Sequence, residues 1–162
     1  MNLKPILRGC FAKKANYQKL LYDRYYDYAF RIAFRYIYQF EQVANLVNAG
    51  FVEFFLNIAL LVNKDERDLE RVVTNSIKKI IITKAIDELL GDNLTQDMEY
   101  IHNNIRVVPL YRQHQEAIMY EELISNLRSL PPLHRVLFNM HVIDGFAPRE
   151  IADRFGISID TF

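Results

Sequence analysis

Along three long stretches of the chain, apolar residues recur at three-and-four spacing, the period of an α-helix with one buried face. Between Ala15 and Gln39 the pattern runs through Tyr17, Leu20, Leu21, Tyr25, Tyr28, Ala29, Ile32, Ala33, Tyr36 and Ile37. The regularity of this tyrosine-rich stripe favours core packing, with hydroxyls at the rim, over a platform for base stacking. A second helix is predicted from Glu41 to Ala59, with Ala44, Val47, Phe51, Phe54, Phe55 and Ile58 inward. After the polar break Asn63-Lys64-Asp65, a third runs from Glu66 to Leu90 on Leu69, Val72, Val73, Ile77, Ile80, Ile81, Ala85 and Ile86. The triplet Ile80-Ile81-Ile82 would suit a strand, but the flanking charges and the length of the pattern decide for helix.

Beyond Gly91-Asp92-Asn93 the periodicity dissolves. Leu94 to Gln113 is polar and irregular, with Pro109 inside it. A linker over 94–114 is expected, roughly twenty residues and long for a connection inside one domain. Periodicity returns from Glu116 to Ser129 through Ile118, Met119, Leu123, Ile124 and Leu127.

The last stretch is read mainly from its punctuation. Leu130 precedes a proline and is pushed out of helical geometry, while Pro132 suits the first turn of a new helix. Leu133, Val136, Leu137, Met140 and His141 then give one inward face, and Asp144-Gly145 is a stop signal. Pro148 opens the next helix, with Ile151, Ala152 and Phe155 inward. Gly156 supplies a tight turn, Ile157 plugs the corner, and Ser158 can cap a following helix of which Ile159 to Phe162 are present. This order predicts a helix-turn-helix whose reading helix is cut short, with a frayed end.

Composition agrees with an all-α protein. Half of the residues are hydrophobic, and Gly and Pro number five each. A single cysteine, Cys10, gives no internal disulfide and no thiolate cluster, as expected for a reducing cytoplasm. The longest apolar run, Phe54 to Val62, is interrupted by Asn57 and too short for a bilayer, so no membrane insertion is expected. Net charge is zero, but residues 1–95 hold 14 Lys/Arg against 11 Asp/Glu, and residues 119–162 hold 4 against 6. Enzyme chemistry finds no constellation. His102, His114, His134 and His141 are scattered without ligand spacing, and no phosphate loop or nucleophile motif occurs, so neither cofactor nor metal is expected.

A helical bundle, a linker and a C-terminal helix-turn-helix together resemble the extracytoplasmic-function sigma factors of bacterial RNA polymerase. Leu127 to Phe138 with Gly145 to Ser158 carries the likeness best, through Glu150-Ile151-Ala152 and Gly156-Ile157-Ser158. Val43 to Phe55 is similar to the family's clamp-docking helix, and Ile77 to Asp87 to its promoter-opening segment. The resemblance implies a region 2-like domain over 1–93 and an incomplete region 4-like domain over 115–162. It also implies core polymerase (clamp and flap) and promoter DNA as partners, with an anti-sigma factor as a further candidate. Asn45, Asn48, Phe51 and Glu53 would then be exposed towards polymerase; Lys78, Lys79, Thr83 and Lys84 would face the downstream promoter element, and Arg149, Ser158 and Thr161 the upstream one.

Departures from the family pattern matter as well. Asn45 and Asn48 replace an acid and a glutamine, weakening any pairing with a cation on polymerase. Ser76 and Leu90 stand where Trp and Arg are usual, which weakens strand opening. The competing expectation is a truncated sigma-like protein that occupies polymerase or an anti-sigma factor without starting transcription.

Overall fold

Every regular element of the computed structural model, which describes residues 2–91 and 120–158, is helical. The chain divides into two compact units, Met1–Glu88 and Leu89–Phe162. The expected linker 94–114, the start of the helix predicted at Glu116, and Ile159 to Phe162 lie outside the described residues.

The first unit begins with an element not foreseen from the sequence, α1 (Leu3–Phe11). Asn2 caps it, its Oδ1 accepting from the Lys4 amide at 3.0 Å while its amide group donates to Glu66. Nine residues are too few to hold a helix alone. Burial of Leu3, Ile6, Leu7 and Cys10 supplies the difference, at about 1.5–3 kcal/mol for each large aliphatic side chain.

α2 (Ala15–Tyr36) follows and buries Leu21, Tyr25, Ala29, Ile32, Ala33 and Tyr36, so the core reading of its stripe holds at those positions. Leu20, also in that stripe, is exposed. α3 (Phe40–Leu56) packs on α2 and buries Val43, Leu46, Val47, Gly50, Phe51 and Phe54. A short α4 (Ala59–Val62) packs on α1, and α5 (Leu69–Leu90) carries Val73, Ile77, Ile81 and Ile82 into the core. The isoleucine triplet is therefore helical. At Gly50 an added Cβ would meet Ile81 Cδ1 at 2.5 Å, which is how closely α3 and α5 approach.

In the second unit α6 (Tyr120–Ser129) ends just before the two prolines, and α7 (Pro132–Phe138) starts at the second of them. α7 then widens into a π-helical turn, Asn139–Ile143, in which the Asp144 amide reaches back to the Asn139 carbonyl at 2.8 Å. Met140 is buried there, whereas His141, expected inward, is exposed, its Nδ1 3.2 Å from the Phe146 carbonyl oxygen. The widened turn displaces the helical register by one residue, so the three-and-four pattern fails at its last position. α8 (Pro148–Phe155) opens with Glu150 accepting from the Ala147 amide at 2.9 Å and closes on Gly156. Gly145 and Gly156 adopt φ of 73° and 65°, a left-handed region that a Cβ disfavours.

Candidate functional site

On α3, positions 45, 49, 52 and 56 recur at helical spacing opposite the core, and all are exposed. Asn45, Ala49, Val52 and Leu56 therefore form one outward, uncharged face, with Val52 61% and Leu56 78% exposed. It continues towards Leu60 of α4, 71% exposed, beside a shallow pocket of about 230 Å³ lined by Phe54, Asn57, Leu60, Leu61, Ser76 and Ile80. Asn48 borders this face and accepts from the Tyr22 hydroxyl at 2.7 Å. Apolar residues opposite the core were the signal available in the sequence at Val52 and Leu56.

Phe51 corrects an expectation. It is 3% exposed, its ring centred 4.8 Å from Tyr22, because α2 lays that tyrosine across the α2–α3 seam. It belongs to the core and presents nothing to a partner. Glu53 is half-exposed and joins α3 to α5, its carboxylate 2.8 Å from Lys84 Nζ.

That ion pair separates residues grouped together in the sequence. On a helix of 3.6 residues per turn, Lys79 and Thr83 are only about 40° apart, whereas Lys84 lies about 140° round from Lys79. Lys79 is exposed, Lys78 and Thr83 are half-buried, and Lys84 leans on α3. The lysines of α5 thus do not make one basic face. Leu90, where an arginine was of interest, is buried.

In the second unit, Arg149 is exposed in the first turn of α8 and Ser158 is exposed just after the Gly156 turn. Thr161 lies outside the described residues. Between these positions Ile151, Ala152 and Phe155 are buried, and the Ile157 amide donates to the Ala152 carbonyl at 3.1 Å, closing the turn.

A second polar cluster ties α2 to α5. Glu70 accepts from the Tyr25 hydroxyl at 2.7 Å and from Arg24 at 2.8 Å. Burial, and then the neighbouring Glu70 carboxylate, push the Tyr25 phenol well above its ordinary range. Burial also pushes the Cys10 thiol up, to about 11, which keeps it protonated and unreactive at neutral pH. These groups are structural. Among the described residues no helix is long and apolar enough to cross a membrane, and no group of His, Cys, Asp and Glu could hold a metal ion. No family model, curated protein or solved structure matches the chain.

Proposed function

We propose that the chain is a sigma-like partner of bacterial RNA polymerase, binding the core enzyme through the outward face of α3 and directing it to promoter DNA. The observation that carries this reading is that face itself. Uncovered aliphatic side chains at Val52, Leu56 and Leu60, with amides at Asn45 and Asn48 and no charge between them, fit a protein partner better than a nucleic acid. The resemblance of Val43 to Phe55 to a clamp-docking helix gives that partner its identity. Arg149 and Ser158 flank the turn where a reading helix would begin, and Lys79 with Thr83 offers a smaller contact to phosphates. Polymerase performs the chemistry; this chain supplies position.

The test is co-elution of purified chain with core polymerase, followed by run-off transcription. Leu56→Asp, at an exposed position where folding should change by less than about 0.5 kcal/mol, should abolish co-elution. If wild-type chain never co-elutes, or if Leu56→Asp co-elutes as well as wild type, the α3 reading is wrong.

A second reading is favoured by the Glu53–Lys84 pair and the divided lysines of α5. A chain whose cations are split and partly neutralised is poorly equipped to hold an opened strand on that helix. Such a protein would occupy polymerase, or an anti-sigma factor, without initiating. Co-elution with no run-off transcript would select it.

A further inference from the structure

The first 22 residues of the chain hold five Lys and Arg and no acidic residue; the earliest carboxylate is Asp23. Lys19 pairs with that Asp23, and the Asp65 carboxyl, held below its ordinary range chiefly by Arg67, is lowered further by Lys4. Arg8, Lys13 and Lys14 are exposed and make no ion pair among the described residues. All three sit at the elbow where α1 turns into α2, beside Phe11, which is 55% exposed.

The elbow is rigidly built. The amides of Ala12, Lys13 and Lys14 return to the carbonyls of Arg8, Cys10 and Gly9 at 3.0, 2.9 and 3.0 Å. The Tyr17 ring lies directly over Gly9, so close that a Cβ there would fall 2.2 Å from it. Lys13 adopts φ 57°, and among the described residues no other non-glycine residue has a positive φ. Glycine is the ordinary occupant of such a helix end, and the lysine side chain gives the fold nothing in exchange for the strain. Strained placement of a charged, solvent-facing side chain points to a use outside the fold.

We propose that this elbow is a nucleic-acid site, in which Arg8, Lys13 and Lys14 hold backbone phosphates of an unpaired strand and Phe11 stacks on one of its bases. The unpaired positive charge selects a polyanion. A bilayer is the poorer fit, because Leu3, Ile6, Leu7 and Cys10 of α1 are buried in the core and leave no apolar face to enter lipid. An exposed ring set among cations is the arrangement that grips single strands regardless of sequence. The site shares no residue with the α3 face and needs no polymerase.

The test uses the full chain and a labelled single-stranded thymidine oligonucleotide, with anisotropy read across a salt series. Three phosphate contacts predict a slope of log K against log salt near about −2. Lys13→Gly relieves the backbone strain, so thermal stability should hold or rise, while the slope becomes shallower by about 0.7 and affinity falls several-fold. Lys14→Gln should do the same to the slope without touching the turn. Phe11→Ala should weaken binding roughly tenfold and leave the slope unchanged.

The proposal is overturned if the oligonucleotide does not bind, if both lysine variants keep the wild-type slope, or if Phe11→Ala binds as wild type. It is overturned equally if vesicles of phosphatidylserine and phosphatidylcholine bind the chain through Lys13 while the oligonucleotide does not. Co-elution with polymerase is independent of each of these results, so the two readings stand or fall separately.

Discussion

At the scale of single residues, Arg135 shows how one side chain can hold a helix end. Its guanidinium donates to the carbonyls of Leu127, Arg128 and Leu130 at 3.1, 3.3 and 3.0 Å. The carbonyls of Leu127 and Arg128 belong to the last turn of α6 and that of Leu130 lies just past it; the Leu127 oxygen also accepts from the Leu130 amide at 3.2 Å, and the cation meets the negative end of the helix dipole. Removing it takes a charge-assisted donor from three carbonyls at once, of which the half-buried Leu130 carbonyl is the least able to turn to water. Arg135→Ala should therefore lower the unfolding free energy of the second unit by about 2 kcal/mol. Arg135→Lys should recover only part of the loss, because an ammonium cannot fork between three carbonyls. Urea denaturation of the full chain, followed through signals of the second unit, measures both. An alanine variant as stable as wild type would remove Arg135 from this role.

At the scale of elements, the α1–α2 packing rests on the absence of a side chain at Gly9. Alanine is the better helix former by about 1 kcal/mol, so propensity alone predicts a gain from Gly9→Ala. The Tyr17 ring atoms 2.2–2.6 Å from the added Cβ predict the opposite, since the ring would be forced off α1. Overpacking of that kind costs about 1–3 kcal/mol, and we expect a net loss of stability. A rise in the melting temperature of Gly9→Ala would show that the ring swings aside freely. The same contrast explains which elements could be read in advance. α5 was legible because its apolar period runs unbroken for 22 residues. α1 is weakly signalled: Asn2 followed by Leu3, Ile6, Leu7 and Cys10 is a capped amphipathic pattern, but only nine residues long. The side that Phe51 takes is ambiguous in sequence because apolar residues of α3 fall on both faces, Val52 and Leu56 outward as well as Phe51 and Phe54 inward; the Tyr22 ring on the neighbouring helix marks the inner one. Lys84 stands beside Lys78 and Lys79 in sequence, and spacing alone carries no sign that Glu53 of another helix faces it.

At the scale of the whole molecule, the two units differ in how alkaline pH should act on them. Cys10 and Tyr25 both lie in the first unit, and burial raises the ionisation of each above its ordinary value, to about 11 for Cys10. Residues 120–158 contain no cysteine. Because the folded state holds the thiol protonated while the unfolded chain releases its proton near 9.0, this contribution is complete below about pH 9. It is lost progressively as pH rises, until the folded thiol itself ionises near about pH 11. A two-unit shift at a residue 2% exposed corresponds to a loss on the order of 2 kcal/mol, and Tyr25 adds a loss of the same sign at higher pH. Methyl resonances of Ile81 and Ile151, both buried in their own units, can follow urea unfolding of the two separately. Between about pH 8 and 10.5 the Ile81 midpoint should fall while that of Ile151 stays in place. Cys10→Ala should flatten the first part of the Ile81 response and Tyr25→Phe the later part. Midpoints that fall together would mean that the units unfold as one, and an Ile81 midpoint indifferent to pH would mean that burial does not hold the thiol protonated.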